Sequence, residues 1–140
     1  VKLTWSGEFM LKLSIKTKLD PLDALERAET YFDGHFGLEI IERRVHLHGK
    51  EGAIDIGTSG RKIIVEAEYD SNDVLRNVVD YIREHYGLKA ETFSLHFHGE
   101  LGYVNVTVTN EKPAEATLEG REYDYQIKEF TKKSLAVYIN

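Results

Sequence analysis

A chain of 140 residues with 41% hydrophobic and 30% charged side chains has the make-up of one globular domain or two small interlocked halves. Its net charge of −6 argues against a general nucleic-acid binder, which needs clustered Lys and Arg. The lack of cysteine excludes disulfides, thiolate metal sites and a Cys nucleophile, and fits a cytoplasmic setting.

The chain opens with a short strand over 1–6 and a turn at Ser6-Gly7-Glu8. Lys2, Glu8 and Lys12 interrupt any signal-peptide core, and no apolar run nears the roughly 20 residues of a membrane span. From Phe9 to Leu19, Leu11, Leu13 and Ile15 alternate with Lys12, Ser14 and Lys16, which predicts a half-buried strand. Asp20-Pro21 reads as a helix start, a capping oxygen followed by a residue whose missing N–H costs nothing there. Leu22, Leu25, Ala28, Glu29 and Phe32 form one helical stripe, and Gly34 or Gly37 ends it. A strand over 39–48 and another over 53–57 follow, then a turn at Thr58-Ser59-Gly60 and a strand over 61–69.

Then the same order returns. A helix runs to Tyr86 with Val74, Leu75, Val78, Val79 and Ile82 as its apolar face, and Gly87 stops it. Residues 91–98 and 101–109 form a hairpin about Gly99 and Gly102. The return is literal. Asp20, Asp23, Leu25, Tyr31, His35, Gly37, Leu38, His46, His48, Gly49 and Gly52 recur fifty positions on, from Asp70 to Gly102, without a gap. Chance supplies about two such matches over this span at average residue usage. Ala116 and Leu118 suggest a further short strand. Tyr123, Ile127, Phe130, Val137 and Tyr138 then fall on one helical face, with Lys128, Lys132 and Lys133 late, where they suit the helix dipole, while Tyr123-Tyr125-Ile127 alternates and Leu135 to Ile139 reads equally as an edge strand.

The expected fold is therefore α+β. A tandem duplication of a strand–helix–strand–strand unit builds a mostly antiparallel curved sheet with helices packed on one face. One domain spans 1–140, with a first copy near 9–58, a second near 61–109 and a C-terminal element over 114–140.

His46-Leu47-His48-Gly49 and His96-Phe97-His98-Gly99 are the most conspicuous repeated stretch. Alternation puts Val45, Leu47, Phe93, Leu95 and Phe97 toward the helices. Arg44, His46, His48, Ser94, His96 and His98 then face away, beside Asp55, Glu66, Glu68, Tyr103, Asn105 and Thr107. Two imidazoles in His-x-His leave one strand face about 7 Å apart and can converge on one ion. His46, His48, His96 and His98 are thus candidate ligands for a divalent transition metal, completed by a carboxylate. An ordinary polar sheet face explains the same residues. His35 and His85 sit at helix ends, where imidazole suits the last carbonyls.

Other motifs lead elsewhere. Gly57-Thr58-Ser59-Gly60-Arg61-Lys62 has the glycines and lysine of a phosphate loop, but a strand follows it instead of a helix. No nucleophile elbow marks any serine, so no catalytic residue is assigned. Trp5, Phe32, Phe93 and Tyr103 come from both halves and are candidates to line a ligand pocket between the repeats.

The element order is similar to that of the duplicated ligand-binding domains of GyrI-like and SOUL-type proteins. Around Tyr31-Phe32 and 53–69 it also resembles ribosome hibernation factors, a reading the acidic balance opposes. No functional residue is carried over from either resemblance. Three functions are expected from the whole. The first is a non-enzymatic module that binds a small molecule or a protein partner, with the ligand between the repeats. The second is a metal-binding protein or metal-dependent enzyme using the four strand histidines. The third is a homo-oligomeric assembly subunit. None of them involves a membrane.

Overall fold

The computed structural model describes residues 2–5, 9–50, 52–59 and 71–136, with side chains described at all of these except 2–5, 9, 34, 35, 52, 54, 58, 59 and 71–75. Seven strands are described: β1 (Lys2–Trp5), β2 (Phe9–Thr17), β3 (Glu39–Gly49), β4 (Gly52–Ser59), β5 (Lys89–His98), β6 (Tyr103–Thr109) and β7 (Ala114–Arg121). Three α-helices accompany them: α1 (Pro21–Phe36), α2 (Ser71–Tyr86) and α3 (Asp124–Phe130), the last continued by a π-helical turn over Thr131–Leu135. The expected strand over 61–69, with Glu66 and Glu68, lies outside the described residues. Thr58 and Ser59, expected in a turn, complete β4. No helix among the described residues is long and apolar enough to cross a membrane.

The strands form one sheet in the order β1-β2-β7-β6-β5-β3-β4. Every described pairing is antiparallel. The fold is accordingly α+β. The segment after β6 is not peripheral: β7 lies inside the sheet, between β2 and β6. Ala114, Ala116 and Leu118 are buried there, and alternation with Glu115, Thr117 and Glu119 fits a strand covered on one side.

Local chemistry sets the helix limits. The Asp20 carboxylate accepts the Leu22 N–H at 3.2 Å, and Pro21 occupies the first turn. Gly37 and Gly87 each follow their helix at φ 67°, a conformation that costs a residue with a Cβ about 1–2 kcal/mol. The Leu38 N–H then reaches the Phe32 carbonyl at 3.1 Å, and the Gly87 N–H reaches Arg83 at 3.0 Å.

Helix α1 crosses the middle of the sheet and packs on β3, β5 and β6. Its stripe of Leu22, Leu25, Ala28 and Phe32 is buried. The core continues through Val45, Leu47, Phe93, Leu95, Phe97, Val106, Leu118, Ile127 and Phe130. Val79 and Ile82 of α2 pack against the edge of this cluster and stay half-buried. One charge enters the helix side of the sheet. Arg43 is buried and pairs with Glu29 of α1 through two hydrogen bonds of 2.6 and 3.1 Å.

The glycine of each His-x-His-Gly stretch also serves packing across the halves. A Cβ on Gly49 would run into the tip of Leu88. A Cβ on Gly99 would overlap the Tyr123 hydroxyl and lie 3.3 Å from Leu38. Leu38 and Leu88 are themselves fifty positions apart, as are Gly49 and Gly99, so the two approaches run crosswise between the halves of the chain.

Candidate functional site on the open sheet face

The sheet face away from the helices is polar because the strands alternate. In β3, Val45 and Leu47 are fully buried while Arg44 and His48 are exposed. In β5, Phe93, Leu95 and Phe97 are buried, while Ser94 and His96 are half-buried and His98 is exposed. Asp55 of β4 and Tyr103, Asn105 and Thr107 of β6 share this face with the histidines.

The two histidine strands are neighbours, but they run antiparallel. His46 lies opposite Thr92, and His96 lies opposite Glu42. Four residues of strand separate the two pairs, roughly 13 Å. The four imidazoles therefore do not converge. Among the described residues, no group of three or more His, Asp or Glu side chains could hold a metal ion.

Each pair has its own surroundings. The His46 Nδ1 lies 2.6 Å from the Asp55 carboxylate directly across the ladder. Its Nε2 lies 3.6 Å from Glu91 Oε2, and His48 Nδ1 lies 3.6 Å from Glu91 Oε1. In the second pair, His96 Nδ1 hydrogen-bonds to Asn105, again the residue directly opposite. The His96 ring also lies 5.1 Å from that of His98 and 6.0 Å from that of Tyr103. Asn105 passes the chain of hydrogen bonds on, donating to Glu119 at 3.3 Å.

Glu91 escapes a period-two reading, which groups it with Phe93 on the helix side. The β3–β5 ladder is irregular at two places. Ile40 pairs with Phe97 and Glu42 with His96, which leaves Ile41 as an extra residue; His46 pairs with Thr92 and Leu47 with Ala90, which leaves Glu91. These β-bulges re-aim the inserted side chain. Glu91 thereby reaches the histidines on the open face, and Ile41, fifty positions earlier, is likewise exposed. The sequence trace is the succession Glu91-Thr92, two polar residues after buried Ala90.

Of the candidate pocket aromatics, Phe32 and Phe93 lie on the opposite side of the sheet from Tyr103. Phe32 and Phe93 are buried in the core on the helix side. Tyr103 lies on the open face, with its hydroxyl 3.3 Å from Met10 Sδ. Trp5 belongs to β1, and its side chain lies outside the described residues.

Concavities lined by described residues open at several places. One of about 390 Å³ opens on the polar face, lined by Glu42, Arg44, Ser94, His96, Asn105 and Thr107, with Glu119 at its side. Arg44 donates to Glu42 at 2.6 Å within it. A second runs beside α1, where Asp23, Arg27, Thr30 and Tyr31 face Ser134. Burial holds the Tyr31 phenol above its ordinary pKa, and the nearby Glu129 carboxylate adds to the effect. Glu129 is held below its ordinary value by its 2.8 Å hydrogen bond with Lys133. The third lies between 18–21 and 110–114, at the start of α1 and the β6–β7 connection.

At the helix ends, His85 Nδ1 lies 2.9 Å from the Tyr81 carbonyl, and its ring stacks on Tyr81. The His35 side chain lies outside the described residues.

Comparison of the chain with protein-family models, with curated proteins and with solved structures gives no significant match.

Proposed function

We propose that the protein is a non-enzymatic module, a single domain formed by tandem duplication, that holds a polar small molecule on the open face where its two copies meet. The concavity on that face carries this reading. Its volume of about 390 Å³ lies within the range of ligand pockets. Glu42 and Arg44 come from the copy over 9–58, and Ser94, His96, Asn105 and Thr107 come from the copy over 61–109. The ligand thus sits between the repeats, in a shallow curve of the sheet rather than beneath the helices. The matched bulges at Ile41 and Glu91 and the crossed Gly49–Leu88 and Gly99–Leu38 approaches support the duplication.

Binding suits these residues better than turnover. Arg44 is engaged by Glu42, and Asn105 links His96 to Glu119. Such a network positions hydrogen-bond donors and acceptors around a polyol, amine or nucleoside without freeing a base. Thermal-shift measurements against a panel of those three classes test it. At least one class is expected to raise the melting temperature, and His96→Ala with Arg44→Ala is expected to abolish the shift. A shift that survives both substitutions places the ligand elsewhere.

A further inference from the structure

The charges and hydrogen-bonding directions around the open-face concavity are unbalanced, and the imbalance selects among ligands. Resting on the reading of that concavity as the ligand site, we propose that its ligand is a primary ammonium that also carries hydroxyl groups, an amino polyol, with the ammonium seated on Glu119.

The charge balance comes first. Two carboxylates, Glu42 and Glu119, line the concavity against one guanidinium, Arg44. Arg44 is already engaged. Its Nε donates to Glu42 Oε1 at 2.6 Å, and its Nη2 pairs with the same oxygen. Glu119, half-buried on β7, meets a neutral donor instead, the Asn105 amide at 3.3 Å. Lys12 lies opposite Glu119 in the β2–β7 ladder, but it is exposed, and among the described residues no ion pair engages Glu119. One negative charge in the concavity is therefore left uncompensated. A cationic ligand supplies the missing charge, whereas a carboxylate or phosphate would be repelled.

The hydrogen-bonding directions agree. A carboxylate only accepts, so Asn105 turns its amide nitrogen to Glu119 and its carbonyl oxygen to His96. That oxygen accepts the His96 Nδ1–H, which leaves a lone pair on Nε2 of the neutral ring. Glu42 and Glu119 are each engaged through Oε1 alone among the described residues. Acceptors thus dominate the open hydrogen-bonding positions. An ammonium offers three donors and no acceptor. The Ser94 and Thr107 hydroxyls can donate or accept, and they suit the hydroxyls of the same ligand.

Titrations with D-glucamine and sorbitol, read by backbone amide shifts, test the proposal. The two probes differ only in an ammonium replacing a terminal hydroxyl. D-glucamine is expected to bind the open face about tenfold or more tightly than sorbitol, because hydrogen bonds to charged groups are the stronger kind. Added salt should shrink that preference. Glu119→Gln keeps an oxygen for Asn105 and should bring the two probes to equal affinity, with circular dichroism verifying the fold. Glu111→Gln removes the same charge from the exposed β6–β7 connection and should retain the preference. Equal affinities in the wild type, a preference that survives Glu119→Gln, or one lost in Glu111→Gln overturns the inference. So does binding of sorbitol or adenosine, but not D-glucamine, on the open face, an outcome that leaves the ligand site itself standing. An open face silent toward all three probes removes both.

Discussion

Phe32→Ala is expected to destabilise the protein by about 3–5 kcal/mol, the range for deleting a buried aromatic ring. Phe32 is fully buried where α1 meets the sheet. Its ring lies 5.5 Å from Phe97 of β5 and 5.4 Å from Phe130 of α3, with Tyr31 at 5.1 Å. It therefore joins α1, the strand β5 that carries His96 and His98, and α3. The three remaining rings cannot close over the void together, because they are held by β5, α3 and α1. In urea denaturation the midpoint should fall with the slope unchanged. The melting temperature should drop on the order of 10 °C or more. Phe32→Leu, which keeps most of the volume, should lose far less. Equal losses for Ala and Leu would contradict the cavity account and assign the effect to the shape of the ring rather than to its volume.

Glu29→Ala is expected to cost about 2–4 kcal/mol, because it strands the Arg43 guanidinium on the covered side of the sheet. The Arg43 side chain is 8% exposed, and Glu29 is 25% exposed, which lets water replace part of the lost partner. The value therefore falls toward the lower part of the range for a buried pair. Replacing both, Glu29→Leu with Arg43→Met, removes the uncompensated charge and should recover most of the loss. A double-mutant cycle reads this coupling directly. Additive losses would show that the two hydrogen bonds are not energetically coupled.

Much of the fold was legible because period and punctuation agree. Asp20-Pro21 and Gly37 mark the limits of α1 through a capping carboxylate and a left-handed glycine. Alternation in Leu11-Leu13, Val45-Leu47 and Phe93-Leu95-Phe97 identifies which residues meet the helices, and burial follows it. Other features are invisible to local pattern. Nothing in Ala114–Arg121 announces that this strand enters the sheet between β2 and β6, since strand order depends on long-range pairing. The pocket aromatics were chosen by residue type, and type alone does not distinguish a core Phe32 from an open-face Tyr103.

The histidines illustrate both outcomes. Their orientation follows from alternation, but their separation follows from the antiparallel β3–β5 register. Glu91 reaches them only because of the bulge, which breaks the very periodicity used to place side chains. The repeated glycine has a wider role than a turn. Gly49 ends its strand opposite Gly52 and also leaves space for Leu88, which follows α2.

The location of function on the open sheet face is tested most directly by backbone amide shifts during titration with the strongest binder from the polyol, amine and nucleoside panel. The expected shifts cluster at Glu42, Arg44, Ser94, His96, Asn105 and Thr107, across the junction of the two copies. Shifts confined to Asp23, Arg27, Thr30 and Tyr31 beside α1, with the open face unchanged, would contradict it.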